Sequence, residues 1–435
     1  MKRALIITYY WPPAGGPGVQ RWLNFVKYFR EFGIEPIVYI PDNPHYPLID
    51  SSFNQEVQKD IEILRHPVNE PYKFAKLLSK NKTKQISSGI ISEKEPSFIE
   101  KVLLFIRGNF FIPDARVGWV NPSVSFLKKY ISNNKIDIVV TTGPPHSLHL
   151  IGQKLQKQLD LPWLADFRDP WTTIHYHKSL RLTKASERKH KKLEASVLNN
   201  ASVVTVTSPT TKKEFQEITK KTIEVITNGY ESKEEISASL DKKFSMVHIG
   251  SLLSERNPIV LWEVLSELIS ENKNFANDFQ LKLAGTISDS VVESIKSYGL
   301  EPNLDLLDYI SHSEALQMQH NAQVLLLLEI DREETRAIIP GKLFEYFAAQ
   351  RPIVALGPKG SDIEGLITET NSGAFFNYSE QKDLKAKITQ LYSRFKEGRL
   401  DVNSKNISKY SRKSLTKKMA ETIQRTICKK DETPA

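Results

Sequence analysis

A chain of 435 residues is long for one hydrophobic core and predicts two domains. Its 40% hydrophobic and 26% charged content is that of an ordinary soluble globular protein, and the single cysteine, Cys428, excludes an internal disulfide and any cysteine-based zinc site. Charge is unevenly placed: residues 1–240 hold 34 Lys+Arg against 24 Asp+Glu, and the other 195 hold 26 against 27, so the basic excess lies in the first half.

The basic clusters Lys73–Lys84 and Lys178–Lys192 suit an anionic membrane or another polyanionic partner, with solvated helix surface as the plainer reading. Nucleic acid is not expected, because no recognised binding module surrounds them. The apolar residues 4–9 stop at Trp11-Pro12-Pro13, too early for a signal sequence. With the lone cysteine this predicts a cytoplasmic protein, with a peripheral place at the inner face of the cell membrane as a further expectation. The stretch Val102–Ile112 is broken by Arg107-Gly108-Asn109 and falls short of the roughly 20 residues of a span.

Apolar runs alternate with amphipathic segments, the pattern of parallel α/β sheets. Ala4–Thr8 is the first expected strand, and a helix over 19–32 follows, with Val19, Trp22, Leu23, Val26 and Phe29 on one face and a stop at Gly33. Further strands are expected at Pro36–Ile40, Ile136–Thr141, Trp163–Phe167 and Val203–Thr207. The polar segment Glu231–Lys243 reads as a linker. Beyond it, Met246–Ile249, Gln280–Ala284, Val324–Leu328 and Ile353–Leu356 are the second set of strands. A polar helix over about 405–427 should close the chain, with residues 428–435 frayed.

Two segments carry chemistry by residue type. Pro340-Gly341-Lys342-Leu343-Phe344-Glu345 opens a helix after an apolar strand and a polar loop. Pro340 suits a first turn, where a missing N–H costs nothing. The free N–H groups there, the helix dipole and Lys342 suit a diphosphate, and Glu345 one turn deeper suits sugar hydroxyls. The plainer alternative is a surface helix with an i,i+3 ion pair. The loop Trp11–Gly18 holds Gly15, Gly16 and Gly18, which admit a ligand close to backbone. Arg21 stands where a dinucleotide fingerprint needs its third glycine, so a nicotinamide enzyme is disfavoured.

The segment PGKLFEYFAAQRPIVALG closely resembles the donor-binding segment of retaining glycosyltransferases of the GT-B fold, in the large family 4-like group (group 1). Three other passages resemble the same group in chain order: ITYYWPPAGGPGVQR, LADFRDPW, and VITNGYE followed by VHIGSLLSERNP. The resemblance implies an α/β protein with two Rossmann-like domains facing each other across a cleft and a C-terminal helix crossing back to the first. The expected limits are 1–235 for an acceptor-side domain, 236–404 for a nucleotide-sugar-binding domain, and 405–435 for the crossover helix and tail.

By resemblance, Lys342, Arg256, Glu345 and Asp169 are the expected catalytic residues. Gly15, Gly16, Gly18, Gly250, Tyr309, Ile310, Pro340 and Gly341 are the expected donor-binding positions, with Tyr309 and Ile310 where the family's backbone holds the base. The Asn228-Gly229 turn resembles the family's interdomain turn. Several positions depart from the family pattern. Arg168-Asp169 replaces a histidine–aspartate pair, although Asp166, Arg168 and Asp169 also read as a structural ion-pair network. Ser251 replaces an arginine after Gly250, which leaves Arg256 to meet the diphosphate. Ala337 stands where the first of two spaced glutamates belongs, with Glu333 or Glu334 as misplaced substitutes. His146, after an expected strand, is a candidate acceptor contact or a structural residue.

The sequence contains no Asp-x-Asp pair of the kind that holds a divalent cation on a sugar-nucleotide diphosphate. The expectation is therefore a metal-independent, cofactor-free enzyme that moves a sugar from a nucleotide-sugar to a glycan or lipid-linked acceptor, with retention, in assembly of a cell-surface polysaccharide. Alternatives are a nucleotide-sugar epimerase of the same fold and a non-catalytic, membrane-associated sugar-binding protein.

Overall fold

The computed structural model describes residues 1–68, 70, 98–174, 177, 180–231 and 239–431. The basic cluster Lys73–Lys84 and residues 232–238 of the expected linker lie outside them. The chain divides into two compact units, Met1–Asn228 with Arg412–Ala435, and Gly229–Ser411. The first division falls inside the Asn228-Gly229 turn; the expected limits were 235/236 and 404/405.

The first unit is built on seven parallel strands in the order β3-β2-β1-β4-β5-β6-β7. They are β1 (Lys2–Ile7), β2 (Ile34–Pro41), β3 (Glu62–His66), β4 (Ile138–Gly143), β5 (Trp163–Phe167), β6 (Val203–Val206) and β7 (Ile223–Val225). Side chains alternate across a strand, and both faces of this sheet are covered, so the central strands are mostly apolar on both sides. Ala4 and Ile6 pack with Trp22, Val26 and Phe29 of the helix Pro17–Phe29. Leu5 and Ile7 pack on the other face with Leu127, Leu148 and Ile151.

The second unit has six parallel strands in the order β10-β9-β8-β11-β12-β13. They are β8 (Phe244–Ile249), β9 (Phe279–Ala284), β10 (Leu304–Leu307), β11 (Val324–Leu328), β12 (Ile353–Leu356) and β13 (Gly373–Phe376). Leu326 and Leu328 join Trp262 and Leu265 on one face, while Leu325 and Leu327 join Phe344 and Phe347 on the other.

All nine expected strands are present, with the third, expected at Ile136–Thr141, found as β4 at Ile138–Gly143. The four strands that went unrecognised, β3, β7, β10 and β13, are the four sheet edges. An edge strand is short and half wetted, so it carries no apolar run to betray it; β10 reads only Leu-Asp-Leu-Leu. The first helix runs Pro17–Phe29, and a 3-10 turn, Arg30–Phe32, carries the chain to Gly33 at φ 77°.

The last helix is Arg412–Asp431, later than expected, and residues 428–431 are helical rather than frayed. Its Leu415, Met419, Ala420, Ile423 and Ile427 share the core of Trp22 and Phe29, which places it in the first unit.

Asp166 at the end of β5 ties the first unit together. It is fully buried and accepts from Arg21 Nη2 (2.8 Å) and Nε (3.3 Å), Trp22 Nε1 (2.8 Å), Thr142 Oγ1 (2.9 Å) and Thr205 Oγ1 (2.8 Å). Burial by itself would raise its pKa, but the Arg21 charge and these donors hold the carboxyl below the usual range. Removing one partner of such a pair strands a buried charge, at a cost of about 3–5 kcal/mol. Asp166→Ala should therefore lower the urea midpoint of the first unit sharply, followed by tryptophan fluorescence, since Trp262 is the only one of 6 tryptophans outside that unit.

Candidate functional site

In an open parallel sheet, ligands sit beyond the carboxyl ends of the strands where the strand order reverses. In the second unit that point lies between β8 and β11, and it gathers most of the charged residues expected from the sequence. β8 ends at Ile249 and leads into Gly250, β11 leads into Glu329, and the helix Gly341–Ala349 starts behind them with Pro340 as its N-cap.

Lys342 donates from Nζ to the Ile249 carbonyl at 3.0 Å and lies 3.4 Å from His248 Nε2. His248 is fully buried, and its Nδ1 sits 3.2 Å from the Leu326 carbonyl oxygen. A carbonyl can only accept, so Nδ1 carries the proton and Nε2 presents a lone pair to the ammonium. Burial and the Lys342 charge both depress the His248 pKa, which keeps the ring neutral. An ammonium has three donors, so one remains for a ligand. Gly250 makes room for this arrangement: its φ is 116°, and a Cβ there would come within 3.2 Å of Lys342 Nζ.

Arg256, in the 3-10 turn Ser254–Arg256, lies 3.4 Å from Glu329 Oε2 through Nη2. Glu329 is buried, and its Oε1 has no hydrogen-bond partner among the described residues. Burial pushes its carboxyl pKa up, against the pull of Arg256 and Lys342. Burial likewise draws the Lys342 ammonium down to about 8, although Glu329 and Glu345 work to raise it. The arrangement is two cations around one desolvated carboxylate at the foot of a helix N-terminus, a site that gains from an added anion.

Lys342 and Glu345 do not form the ion pair that their spacing allows. Glu345 instead accepts from Gln319 Nε2 at 2.9 Å, and Gln319 is buried with its Oε1 unpartnered among the described residues. Tyr309 and Ile310 follow the edge strand β10, two strands from β8, with Tyr309 at 87% exposure. Ala337 is not replaced by Glu333, which pairs with Arg336 at 2.8 Å on the surface.

The other expected positions belong to the first unit. Gly15 and Gly16 lie in the loop after β1 and Gly18 in the first turn of the helix Pro17–Phe29, beside the reversal between β1 and β4. Arg168 is a clamp: Nη1 donates to Gly18 O at 2.9 Å, Nε to Gly143 O at 3.3 Å, and Nη2 to Pro144 O. A Cβ on Gly18 would lie 2.3 Å from Arg168 Nη1, so the third glycine serves this clamp. Asp169 is half-buried beside Arg168 and offsets its charge. His146 is a core residue: it is buried, stacked on Trp171 at 5.0 Å and 3°, and burial drives its pKa well below the usual range.

Three residues of the site went unrecognised. Glu329 had a legible signal, a carboxylate directly after the apolar run Val324–Leu328 at a strand's carboxyl end. His248 hides inside a strand and Gln319 inside a helix, and neither carries a local mark.

Two Rossmann-like units on parallel sheets are the architecture of the GT-B fold. The model of Glycosyltransferase Family 4 matches residues 89–234, and that of Glycosyl transferases group 1 matches residues 243–394. The chain belongs to this family. Its fold is similar to that of TarM from S. aureus, with a TM-score of 0.60 at 14% identity over 97% of this chain and 99% of that one. It is also similar to sucrose-phosphate synthase from Thermosynechococcus elongatus, with a TM-score of 0.55 at 12% identity over 99% and 98%. A protein described as a UDP-N-acetylglucosamine 2-epimerase from Listeria monocytogenes gives 0.56 at 10% identity over 100% and 98%. No curated protein matches the sequence.

A diphosphate held by Lys342 would bind in a pH-dependent way. The Lys342 charge is present below about 8 and lost above it, so nucleoside diphosphate affinity, measured by calorimetry, should fall by up to about tenfold per pH unit beyond that point. Lys342→Arg should flatten the profile. Glu329→Gln removes an attraction that favours the ammonium and should shift the fall to lower pH.

Proposed function

We propose that the protein is a retaining, metal-independent glycosyltransferase that moves a sugar from a nucleoside diphosphate sugar to a hydroxyl of a glycan or lipid-linked acceptor in cell-surface polysaccharide assembly. The observation that carries the reading is the placement of Lys342 and Arg256 at the start of the helix Gly341–Ala349, with Glu345 one turn deeper. S. aureus TarM has been crystallised in complex with UDP, which favours the same class of ligand here.

In this reading the diphosphate lies against Lys342, Arg256 and the free N–H groups after Pro340. As the bond from the anomeric carbon to the phosphate oxygen breaks, its electron pair passes to the diphosphate. The two cations then stabilise charge that develops in the transition state, and they are already in place. The acceptor hydroxyl forms the new bond on the same face, and its proton goes to the departing phosphate oxygen. Glu345, held by Gln319, accepts hydrogen bonds from ribose hydroxyls. Tyr309 and Ile310 offer backbone to the base, Gly15, Gly16, Gly18 and Gly250 allow close approach, and Asp169 acts on the acceptor side.

Loss of a contact made chiefly in the transition state costs roughly 2.7–4 kcal/mol, a hundredfold or more in rate. Lys342→Ala and Glu345→Ala should each lose transfer on that scale while melting like the parent; near-parental turnover in both would remove the donor-site assignment. The donor is identified by a calorimetric screen of uridine, guanosine and adenosine diphosphates, and NMR of the product's anomeric proton tests retention. An isomeric nucleotide-sugar formed without acceptor would establish an epimerase, and absence of nucleotide binding a non-catalytic protein.

Activity should survive EDTA, because cationic side chains neutralise the leaving group in this mechanism. Complete loss, restored by manganese or magnesium, would reassign that role.

A further inference from the structure

We infer that the helix Phe98–Phe110 and the basic segment beside it form a docking surface for an anionic lipid bilayer. A surface helix ordinarily turns its apolar stripe inward. Here Phe98, Val102, Phe105, Ile106 and Phe110 are all exposed, Phe98 at 81% and Phe110 at 72%. Their spacing of three, four and eight residues puts them on one side of the helix. The buried side is anchored: Gly108 lies against Leu180 and Leu182, where a Cβ would come within 2.6 Å. Thirteen residues span only about 20 Å, so the helix is too short to cross a bilayer and suits lying in its plane.

Charge selects the occupant. Asn109 donates to Arg181 O at 3.2 Å and accepts from Thr183 N at 2.8 Å, and His190 lies 3.3 Å from Gly108 O. These contacts fix the start of the helix Lys184–Asn200 beside the apolar stripe. Arg181, Lys184, Arg188, Lys189 and Lys192 are all exposed there, and the one acid among residues 181–192, Glu187, is spent on Lys191 at 2.7 Å. Phenylalanine beside unneutralised lysine and arginine matches an interface of acyl chains under anionic headgroups. A protein partner would need acidic groups around an apolar centre to match this surface. The inference concerns where the enzyme works and is independent of the donor site.

The full chain should co-sediment with phosphatidylglycerol–phosphatidylcholine vesicles at low salt. It should detach as salt rises, because the reach of surface charge is only about 10 Å at 0.1 M. The variant Phe98→Ser/Val102→Ser/Phe105→Ser/Phe110→Ser and the variant Arg188→Gln/Lys189→Gln/Lys192→Gln should each lose about tenfold or more in partitioning, with unchanged melting and unchanged nucleotide affinity. Binding that is absent at low salt, equal on phosphatidylcholine alone, or undiminished in both variants would overturn the proposal. So would a parental dimer, seen by light scattering, that the serine variant dissociates, because the stripe would then be a contact between copies. Nucleotide calorimetry on the same samples separates any of these results from failure of the glycosyltransferase reading.

Discussion

Asp166 is wholly withdrawn from water, and side-chain donors from three separate elements replace its hydration. Arg21 and Trp22 come from the first helix, Thr142 from β4 and Thr205 from β6, while Asp166 itself ends β5. Arg21 also donates to Thr227 O at 2.8 Å, next to the residue where the first unit ends. A buried charge tolerates no loss of partners, so the helix start, three strand ends and the exit of the chain must all hold their places together. The glycine-rich loop hangs from this network through its helix, and Arg168 fastens its far side to the loop after β4. At this edge of the first unit the buried cations point inward at its own backbone.

The second unit uses charge in the opposite way. Glu329 balances Arg256 and Lys342 only in part, since its own burial favours the neutral acid and one of its oxygens goes unmatched. The ammonium of Lys342 is held between a carbonyl and a neutral imidazole, and neither can cancel its charge. Desolvation without full pairing leaves a site whose electrostatic cost falls when a diphosphate arrives.

Much of this was legible before any coordinates. Apolar runs such as Val324–Leu328 and Ile353–Leu356 are central strands because both their faces are covered, and that burial is written directly into composition. Lys342 stands out as a cation at a helix start that follows an apolar strand, whereas Gly250 stands out only through the family resemblance. The edge strands escaped because half-wetted residues are chemically mixed. Arg168 and His146 each allow a chemical and a structural reading from sequence, and the structure places Arg168 as a clamp on backbone and His146 in the core. Residue type alone does not say whether a polar group faces a ligand or its own backbone.

The class of fold, the alternation of strands and helices, and the helix start that carries Lys342 follow from local periodicity and from the backbone demands of proline and glycine. Tertiary structure alone decided which charges meet. Glu329 lies 73 positions from Arg256, Gln319 lies 26 from Glu345, and Asp166 lies 145 from Arg21. Such pairs leave no periodic trace, because they depend on where the sheet brings strand ends together and on how much water is left between them.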